Sequence, residues 1–246
     1  TFDTCKSLTR MYMSGFRVDR QALRKVREDY EKEKESLLES LYTQVREFMG
    51  ATPINIHSPE QLSMVLYGIK VKDKKAWKET EKSEVNKYIS EEGDHRWVNN
   101  FTQLYKTKAI HCRDCKGTGR VHKIKKDGTP FARSNKCIKC ESRGYLLENT
   151  QEIASLNLVR KKEFITANGY ATSKEAIDYY LSRKRDMTED KFKFLRDIKR
   201  LNAVSSYLSS FVEGIEINTK NNGFLHVGLT QHITATGRFS GRNPNM

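Results

Sequence analysis

The sequence has little proline, no serine- or glycine-rich tract and no long apolar run. Four prolines in 246 residues leave no evident flexible linker, so we expect an inserted domain rather than domains in tandem. No apolar stretch approaches the ~18 residues of a membrane-spanning helix. Residues 1–5 contain neither an initiator Met nor the apolar core of a signal peptide. We therefore expect no membrane partner, no secretion, and a chain that is a piece of a longer protein.

Acidic residues are outnumbered by basic ones. The chain has 45 Lys and Arg against 31 Asp and Glu, a formal net charge of +14, and a pI near 9.5. Hydrophobic residues make up 37% and the mean hydropathy is −0.74, which is typical of long helices with wide solvated faces. Such an excess of positive charge favours a polyanionic partner, nucleic acid first.

Four of the five cysteines form two Cys-x2-Cys pairs about twenty residues apart, a spacing typical of tetrahedral zinc. The pairs are Cys112 with Cys115 and Cys137 with Cys140. Four thiolates leave no open position, so we predict a structural Zn²⁺, and glycines after each pair can turn backbone amides toward the sulfurs. The alternatives are two disulfides, disfavoured without a secretory signal, or a redox dithiol, which needs only one pair. His111 and His122 are further candidate ligands, although surface or DNA-facing positions are favoured for them, and Cys5 is predicted to be a small buried side chain.

The segment around the cysteines carries much of the positive charge. Residues 106–145 contain twelve Lys and Arg against three acidic residues. Between the two pairs, the segments on either side of an Asp-Gly turn predict a β-hairpin. Its alternation places Lys123, Lys125 and Arg133 on one face. That face is either a solvated basic surface or a ribbon that contacts phosphates, and the density of charge favours the ribbon.

Helical patterns flank this segment on both sides. A long helix is predicted from Asp19 to Met49, and capping boxes predict helix starts at Ser58 and Thr172. A further helix is predicted from Thr188 or Glu189 to Phe211, followed by a strand, a turn and a strand over 215–227. The residues expected to face inward from that helix are Phe192, Leu195, Ile198, Leu201 and Leu208, with core packing also expected for Tyr207.

Residues 231–245 read Gln-His-Ile-Thr-Ala-Thr-Gly-Arg-Phe-Ser-Gly-Arg-Asn-Pro-Asn. This run resembles a signature of the family A DNA polymerases, the DNA polymerase I group, in which Gln-x2-Thr-Ala-Thr-Gly-Arg-Leu-Ser-Ser is followed by Pro-Asn-Leu-Gln. Four other segments resemble family patterns in the approach to the thumb and in the thumb helices. They are residues 13–19, 54–62, 171–175 and 196–207, the last with two extra residues before its Ser pair.

The resemblance implies an α+β fold with a mainly helical thumb, short antiparallel palm strands and an inserted zinc-binding β-hairpin module. Residues 1–77 would form the start of the palm and the first thumb helices, 78–165 the basic four-Cys insertion, and 166–246 the rest of the thumb and the return to the palm. Some phage polymerases of this family carry a thumb insertion that holds a processivity factor. A processivity or replisome factor is therefore an expected partner of the insertion.

The resemblance also implies DNA contacts. Arg238 would reach into the minor groove near the primer terminus and Asn245 would contact the duplex nearby, with a surface salt bridge as the alternative for Arg238. For the thumb residues, phosphate contact competes with a solvated helix face. The remaining implied DNA-binding residues are Thr236, Gly237, Arg242, Lys199, Arg200, Ser205 and Ser206.

In the family, the catalytic carboxylates follow this signature, so they are expected beyond residue 246. Two-metal phosphoryl transfer needs them, so this chain alone is not expected to polymerise DNA, and Mg²⁺ is expected only in the complete enzyme. The resemblance thus implies the duplex-gripping portion of a DNA-directed DNA polymerase used in replication, either a fragment or a split subunit. Its partners would be primer–template DNA and the catalytic remainder, in the cytoplasm of a bacterium or a phage-infected host.

Two other functions stay open. The cysteine segment resembles the Cys-x2-Cys-x-Gly-x-Gly knuckle of the DnaJ cysteine-rich domain, although with one metal site in place of two. A non-enzymatic zinc module that binds nucleic acid or a partner protein would explain the four cysteines, but it leaves residues 231–245 unexplained. A DnaJ-like client-binding module is disfavoured because the second metal site is missing.

Overall fold

The computed structural model describes residues 2–73, 101–126, 129–166, 169–219, 223–230 and 240–242. Its helices are α1 (Phe2–Ser14), α2 (Arg20–Met49), α3 (Pro59–Tyr67), α4 (Lys174–Leu181), α5 (Glu189–Ser206) and α6 (Glu213–Asn218). A π-helical segment, Tyr207–Val212, joins α5 to α6, and 3-10 turns lie at Lys162–Phe164 and Lys184–Asp186. No helix in the described part of the chain is both long and apolar enough to cross a membrane.

The strands are short and pair antiparallel, two by two. They are β1 (Phe16–Arg17), β2 (Ile69–Val71), β3 (Phe101–Gln103), β4 (Tyr105–His111), β5 (Arg120–Ile124), β6 (Pro130–Lys136), β7 (Tyr145–Ile153), β8 (Ile165–Thr166), β9 (Gly169–Tyr170), β10 (Phe224–Leu225), β11 (Gly228–Thr230) and β12 (Ser240–Arg242). The pairs are β1 with β10, β2 with β3, β4 with β7, β5 with β6, β8 with β9 and β11 with β12. Helices with small antiparallel strands confirm the mixed fold class, while the thumb and palm assignments stay predictions.

The chain divides into two compact units. Unit 1 consists of residues 1–41 and 192–246, and unit 2 of residues 42–191. These limits differ from the domain borders expected at 77/78 and 165/166, which stay predictions. We use the name cysteine module for residues 105–153, which belong to unit 2 and run from β4 to β7.

Unit 1 is built on long helices whose starts follow local rules. The Asp19 carboxylate accepts hydrogen bonds from the backbone N–H groups of Gln21 and Ala22, at 2.9 and 3.1 Å, and so caps α2 as predicted. One face of α5 supplies the core, because five of its apolar side chains are at most 2% exposed. These are Phe194, Leu195, Ile198, Leu201 and Val204.

Unit 2 has its core around α3 and the chain that follows β7. The Ser58 hydroxyl caps α3 through the Gln61 N–H, as predicted, while the Gln61 side chain accepts instead from the Asn55 N–H at 2.6 Å. Tyr67 is fully buried and donates its hydroxyl to the Ala171 carbonyl at 2.9 Å. Burial and neighbouring tyrosines raise its pKa far above the usual range. The second capping box is shifted by one residue, because Ser173 rather than Thr172 caps α4.

Four expectations about unit 1 are wrong. Residues 215–217 lie in helix α6 and not in a strand, and there Glu216 accepts a hydrogen bond from Arg27 Nε at 2.9 Å. Three alternating residues fit either structure, and this long-range ion pair is satisfied in the helix. Phe192 is only half-buried, and Phe194 takes the fully buried position. Cys5 is exposed and Tyr207 is 39% exposed, so neither is a core residue.

Candidate metal centre and basic surface

Each cysteine pair links the ends of two strands. The first pair lies between the end of β4 at His111 and the start of β5 at Arg120. The second lies between the end of β6 at Lys136 and the start of β7 at Tyr145. Because β4 pairs with β7 and β5 with β6, the four strand ends meet at the cysteines. All four cysteine side chains are at most 4% exposed.

The four sulfur atoms are arranged to hold one ion. All lie within 4.8 Å of one another, with 3.8 Å between the Sγ atoms of Cys112 and Cys137 and 3.6 Å between those of Cys115 and Cys140. A tetrahedron of sulfurs at ~2.3 Å from a central zinc has edges of about 3.8 Å, so the spacing fits. A disulfide would need about 2.05 Å, and all five cysteines, each in the described part of the chain, are free thiols.

Backbone amides point at two of the sulfurs. The Gly119 N–H donates to Cys115 Sγ and the Gly144 N–H to Cys140 Sγ, both at 3.3 Å. The sequence predicted these amide-to-sulfur bonds from the glycines after each pair, and the structure confirms them. Such bonds stabilise the thiolate form and orient a metal ligand.

The two cysteine pairs form a repeat with an offset of 25 residues. The Cys112 N–H donates to the Gly144 carbonyl, and the Cys137 N–H donates to the Gly119 carbonyl, both at 3.0 Å. Each pair therefore closes its turn on the glycine of the other. Positive φ angles recur at the same offset: at Lys116 (50°), Gly117 (83°) and Gly119 (72°), and at Glu141 (51°), Ser142 (68°) and Gly144 (80°).

The two glycines have no room for a side chain. A Cβ on Gly119 would lie 2.3 Å from the Ser142 carbonyl oxygen, and one on Gly144 would lie 2.3 Å from the Gly117 carbonyl oxygen. Both contacts are with backbone, which cannot rotate away. Glycine is therefore required at both positions by space as well as by its left-handed conformation.

The thiols differ in how readily they ionise. Burial opposes ionisation of Cys115, but hydrogen bonds from the Gly119 N–H and the neighbouring thiols outweigh it and lower the pKa of Cys115 to about 7. At Cys140 burial prevails over the Gly144 N–H, and the pKa rises to about 11. A divalent ion bound there would displace any protons that the thiols carry. His111 and His122 are exposed and lie outside the four-sulfur group.

The predicted basic hairpin is present as the pair β5–β6. Lys123, Lys125 and Arg133 are all exposed. Among the described residues, none of the three has a carboxylate partner. The register shifts between His122 and Ile124, so strict alternation is interrupted at Lys123, and the predicted common face stays a prediction. Residues 127–128, expected to form the turn, lie outside the described residues.

The predicted DNA-binding residues of α5 have mixed surroundings. Lys199 is exposed, Ser205 is half-buried and Ser206 is exposed. Arg200 forms two hydrogen bonds with the Glu33 carboxylate, at 2.6 and 2.8 Å. Any phosphate contact by Arg200 would therefore compete with an ion pair inside unit 1, and the DNA role of these residues stays a prediction.

The residues of the polymerase-like run lie mostly outside the described residues. Arg238, Thr236, Gly237 and Asn245 are among these, and of Arg242 only the backbone is described, in β12. The strands on either side are described: β11 and β12 pair with Thr230 opposite Ser240. Backbone hydrogen bonds therefore hold the chain on both sides of residues 231–239.

A second basic cluster has no signal in the sequence. Lys161, Arg183 and Lys191 line one small cavity together with Tyr179. The three basic residues come from the segment after β7, the end of α4 and the start of α5. No helical or strand spacing relates them, so only the folded chain brings them together.

Comparisons with known proteins give structural likenesses but no sequence relative. No protein-family model matches the chain, and no curated protein matches it. Among solved structures, the chain is similar to the POL domain of Pol1 from M. smegmatis, in complex with DNA primer-template and dNTP, with a TM-score of 0.49 and 16% identity. The likeness covers 98% of this chain and 25% of that chain. We draw no functional conclusion from a likeness of this degree.

Proposed function

We propose that this chain is the primer–template-gripping portion of a family A DNA-directed DNA polymerase used in replication. The observation that carries the proposal is the run at residues 231–245, which resembles the family signature over most of its length. A lone Thr-Gly-Arg would mean little, but here Gln231 precedes it and Pro244 follows it at the family's spacing. Within this run, Ser240–Arg242 form strand β12, which pairs with β11.

The set of segments that make up unit 1 supports the proposal further. Residues 13–19, 196–207 and 231–245 each resemble a family segment, and all three belong to unit 1 although they lie far apart in the sequence. The pairing of β1 with β10 joins the first of these segments to the chain before the third, with Phe16 opposite Leu225. A duplex-binding surface built from three segments requires that all three belong to one compact unit, and these three do.

The chemistry proposed for Arg238 is minor-groove sensing. A guanidinium fork can donate to the purine N3 and pyrimidine O2 acceptors that every correct base pair presents there. Such a contact registers pairing geometry without reading sequence, and Asn245 would add a second contact nearby. This part of the protein binds and positions the primer end, while the metal-dependent step needs carboxylates that we place elsewhere in the complete enzyme, with its Mg²⁺.

We propose Zn²⁺ as the ion of the four-cysteine cluster. Thiolate ligands in a closed tetrahedral set favour zinc, and four protein ligands leave no position for catalysis. The ion would hold the cysteine module, and so present Lys123, Lys125 and Arg133 to DNA phosphates. A processivity or replisome factor as a further partner of this module stays a prediction, as does the catalytic remainder of the polymerase.

Primer extension by the natural protein that contains this chain tests the proposal. Arg238→Ala should slow nucleotide addition by about 100-fold, because small displacements of a reacting group cost roughly that factor. Duplex affinity should barely change. Arg185→Ala is the matched control, since it removes an exposed arginine outside the run and should leave the rate unchanged. Extension at the wild-type rate by Arg238→Ala would refute the role of this arginine.

A non-enzymatic, zinc-dependent nucleic-acid-binding module is the second candidate. It is favoured by the cysteine cluster and the exposed basic hairpin, which both lie in unit 2. Replacing Lys123 and Lys125 by Gln should weaken duplex binding evenly across sequences and reduce the salt slope by about 1.8, at ~0.9 per phosphate contact. If the natural protein binds duplex in this way but never extends a primer, the second candidate replaces the first.

A further inference from the structure

A small cavity in unit 2 carries more positive charge than its surroundings neutralise. Its volume is about 100 Å³, and it is lined by the segment after β7, the end of α4 and the start of α5. Three positive side chains and one negative side chain line it. These are Lys161, Arg183, Lys191 and Asp186.

The positive charges have no carboxylate partner among the described residues. No ion pair within 4.0 Å joins Lys161, Arg183 or Lys191 to any described acidic residue, including Asp186. Instead, Lys161 Nζ lies 4.4 Å and Arg183 Cζ 4.6 Å from the ring centroid of Tyr179. Cation–π contacts hold both cations at one ring but do not neutralise them. An anion in the cavity would relieve the repulsion between the two like charges.

The walls of the cavity are held in place by the fold. The Tyr180 hydroxyl donates to the Val159 carbonyl at 2.6 Å, and the Arg183 N–H donates to the Tyr180 carbonyl at 3.0 Å. The Leu158 N–H donates to the Leu66 carbonyl at 3.0 Å and ties the same segment to α3. The cavity is therefore formed before any ligand arrives, which lowers the cost of binding.

We infer that this cavity binds one phosphate group of a nucleic-acid backbone. The space of about 100 Å³ equals roughly three water molecules at ~30 Å³ each, which suits a tetrahedral oxyanion and is too small for a nucleoside. The anion site stands on the uncompensated cations that line the cavity. Its assignment to a nucleic-acid backbone, rather than to free phosphate, rests on the proposed function.

Titration of the chain with inorganic phosphate tests the cavity itself. In ¹⁵N NMR spectra, the side-chain signal of Arg183 should shift saturably, and the shift should disappear when Lys161 is replaced by Gln. Arg185→Gln is the matched control, because it makes the same charge change on an exposed residue that does not line the cavity. If Arg185→Gln weakens binding as much as Lys161→Gln, the cavity is not the site.

A methylphosphonate scan of the duplex tests the source of the phosphate. One neutral linkage should weaken binding by the parent chain, and that position should lose its effect in the double variant Lys161→Gln/Arg183→Gln. The double variant should also reduce the salt slope by about 0.9. Phosphate binding without any such coupled position overturns the backbone assignment. No duplex binding by any variant refutes the proposed function, and the phosphate titration still decides whether the anion site exists. Far-UV circular dichroism confirms that each variant is folded.

Discussion

Helix α5 and the cysteine module are stabilised in different ways. Along α5, five apolar side chains from Phe194 to Val204 are at most 2% exposed. Within the described part of the cysteine module, the four cysteines are the only buried hydrophobic side chains, and Leu146 packs against them half-buried. Every residue of β5 is exposed. The module has too small a core to hold itself by burial, so its stability must come from the cluster.

One chain can therefore draw stability from two sources, the burial of apolar side chains and the binding of a metal ion. Removal of apolar contacts should affect α5 and spare the cysteine module. Removal of the ion should do the reverse, because metal binding and folding are coupled in modules without a core.

The largest expected effect is the loss of the metal. Cys137→Ser, or treatment with a chelator, should unfold residues 105–153, because binding of structural zinc supplies on the order of 10 kcal/mol of folding free energy. Hydrogen–deuterium exchange should show lost protection in β4 to β7, with α5 unchanged, and elemental analysis should give one zinc per wild-type chain. A metal-free wild-type protein with a fully protected module would contradict this.

The converse experiment removes the core of α5. Phe194→Ala should lower the free energy of unfolding by about 3–5 kcal/mol, as for other fully buried aromatic residues, measured by chemical denaturation. Phe192→Ala is the matched control and should cost clearly less, because Phe192 is only half-buried. Cobalt substituted for zinc should give the same absorption spectrum in both variants. A changed cobalt spectrum in Phe194→Ala would show that the two regions are not independent.

A smaller effect is expected from the glycines of the cysteine module. Gly119→Ala and Gly144→Ala should each weaken metal binding at least ~10-fold, because the left-handed conformation costs about 1–2 kcal/mol and the new Cβ also meets a backbone oxygen at 2.3 Å. Gly223→Ala provides the comparison: its φ is +77°, but its Cβ would meet nothing within 4 Å. It should lower the stability of unit 1 by the conformational cost alone. If all three substitutions cost the same free energy, the conformational cost alone explains the effect and the contact with the backbone oxygen adds nothing.

The smallest effect concerns the ion pair of unit 1. Hydrogen bonds from Arg200 lower the pKa of Glu33, although desolvation partly opposes them. Glu33 therefore contributes stability above its ordinary pKa of about 4.5, and that contribution is lost as the pH falls through the lowered value. Because both side chains are more than a third exposed, the contribution is at most about 1 kcal/mol. Glu33→Gln should flatten the stability of unit 1 between pH 5 and pH 3, roughly the range where a lowered Glu titrates. If Glu33→Gln leaves the pH dependence of the stability of unit 1 unchanged, the ion pair does not contribute to that stability.

Sequence reasoning was reliable where the interactions are local. Each cysteine pair, with its glycine and its amide-to-sulfur bond, lies within eight consecutive residues, so residue spacing defines it. The caps at Asp19 and Ser58 are equally local. The sequence also predicted the hairpin between the pairs, because turn chemistry and alternation agree over a short span.

Sequence reasoning failed where distant residues decide. Residues 215–217 are helical, and Glu216 pairs with Arg27, 189 positions away. The ion pair of Arg200 with Glu33, 167 positions away, was not predicted either, while the DNA role of Arg200 stays a prediction. Neither pair leaves a local pattern, because the approach of two oppositely charged side chains depends on how the helices pack.

The amino-acid sequence by itself determined the four cysteines of the candidate metal centre, the basic hairpin, the main helices and the resemblance at residues 231–245. Only the tertiary structure decided that the four sulfurs lie within 4.8 Å of one another, that Phe194 rather than Phe192 is fully buried, and that Lys161 and Arg183 meet at Tyr179. The physical reason is the distance along the sequence over which the deciding interactions act. Turns, caps and ligand spacing follow from hydrogen bonds within a few residues, whereas burial and the clustering of charge follow from which distant surfaces pack together.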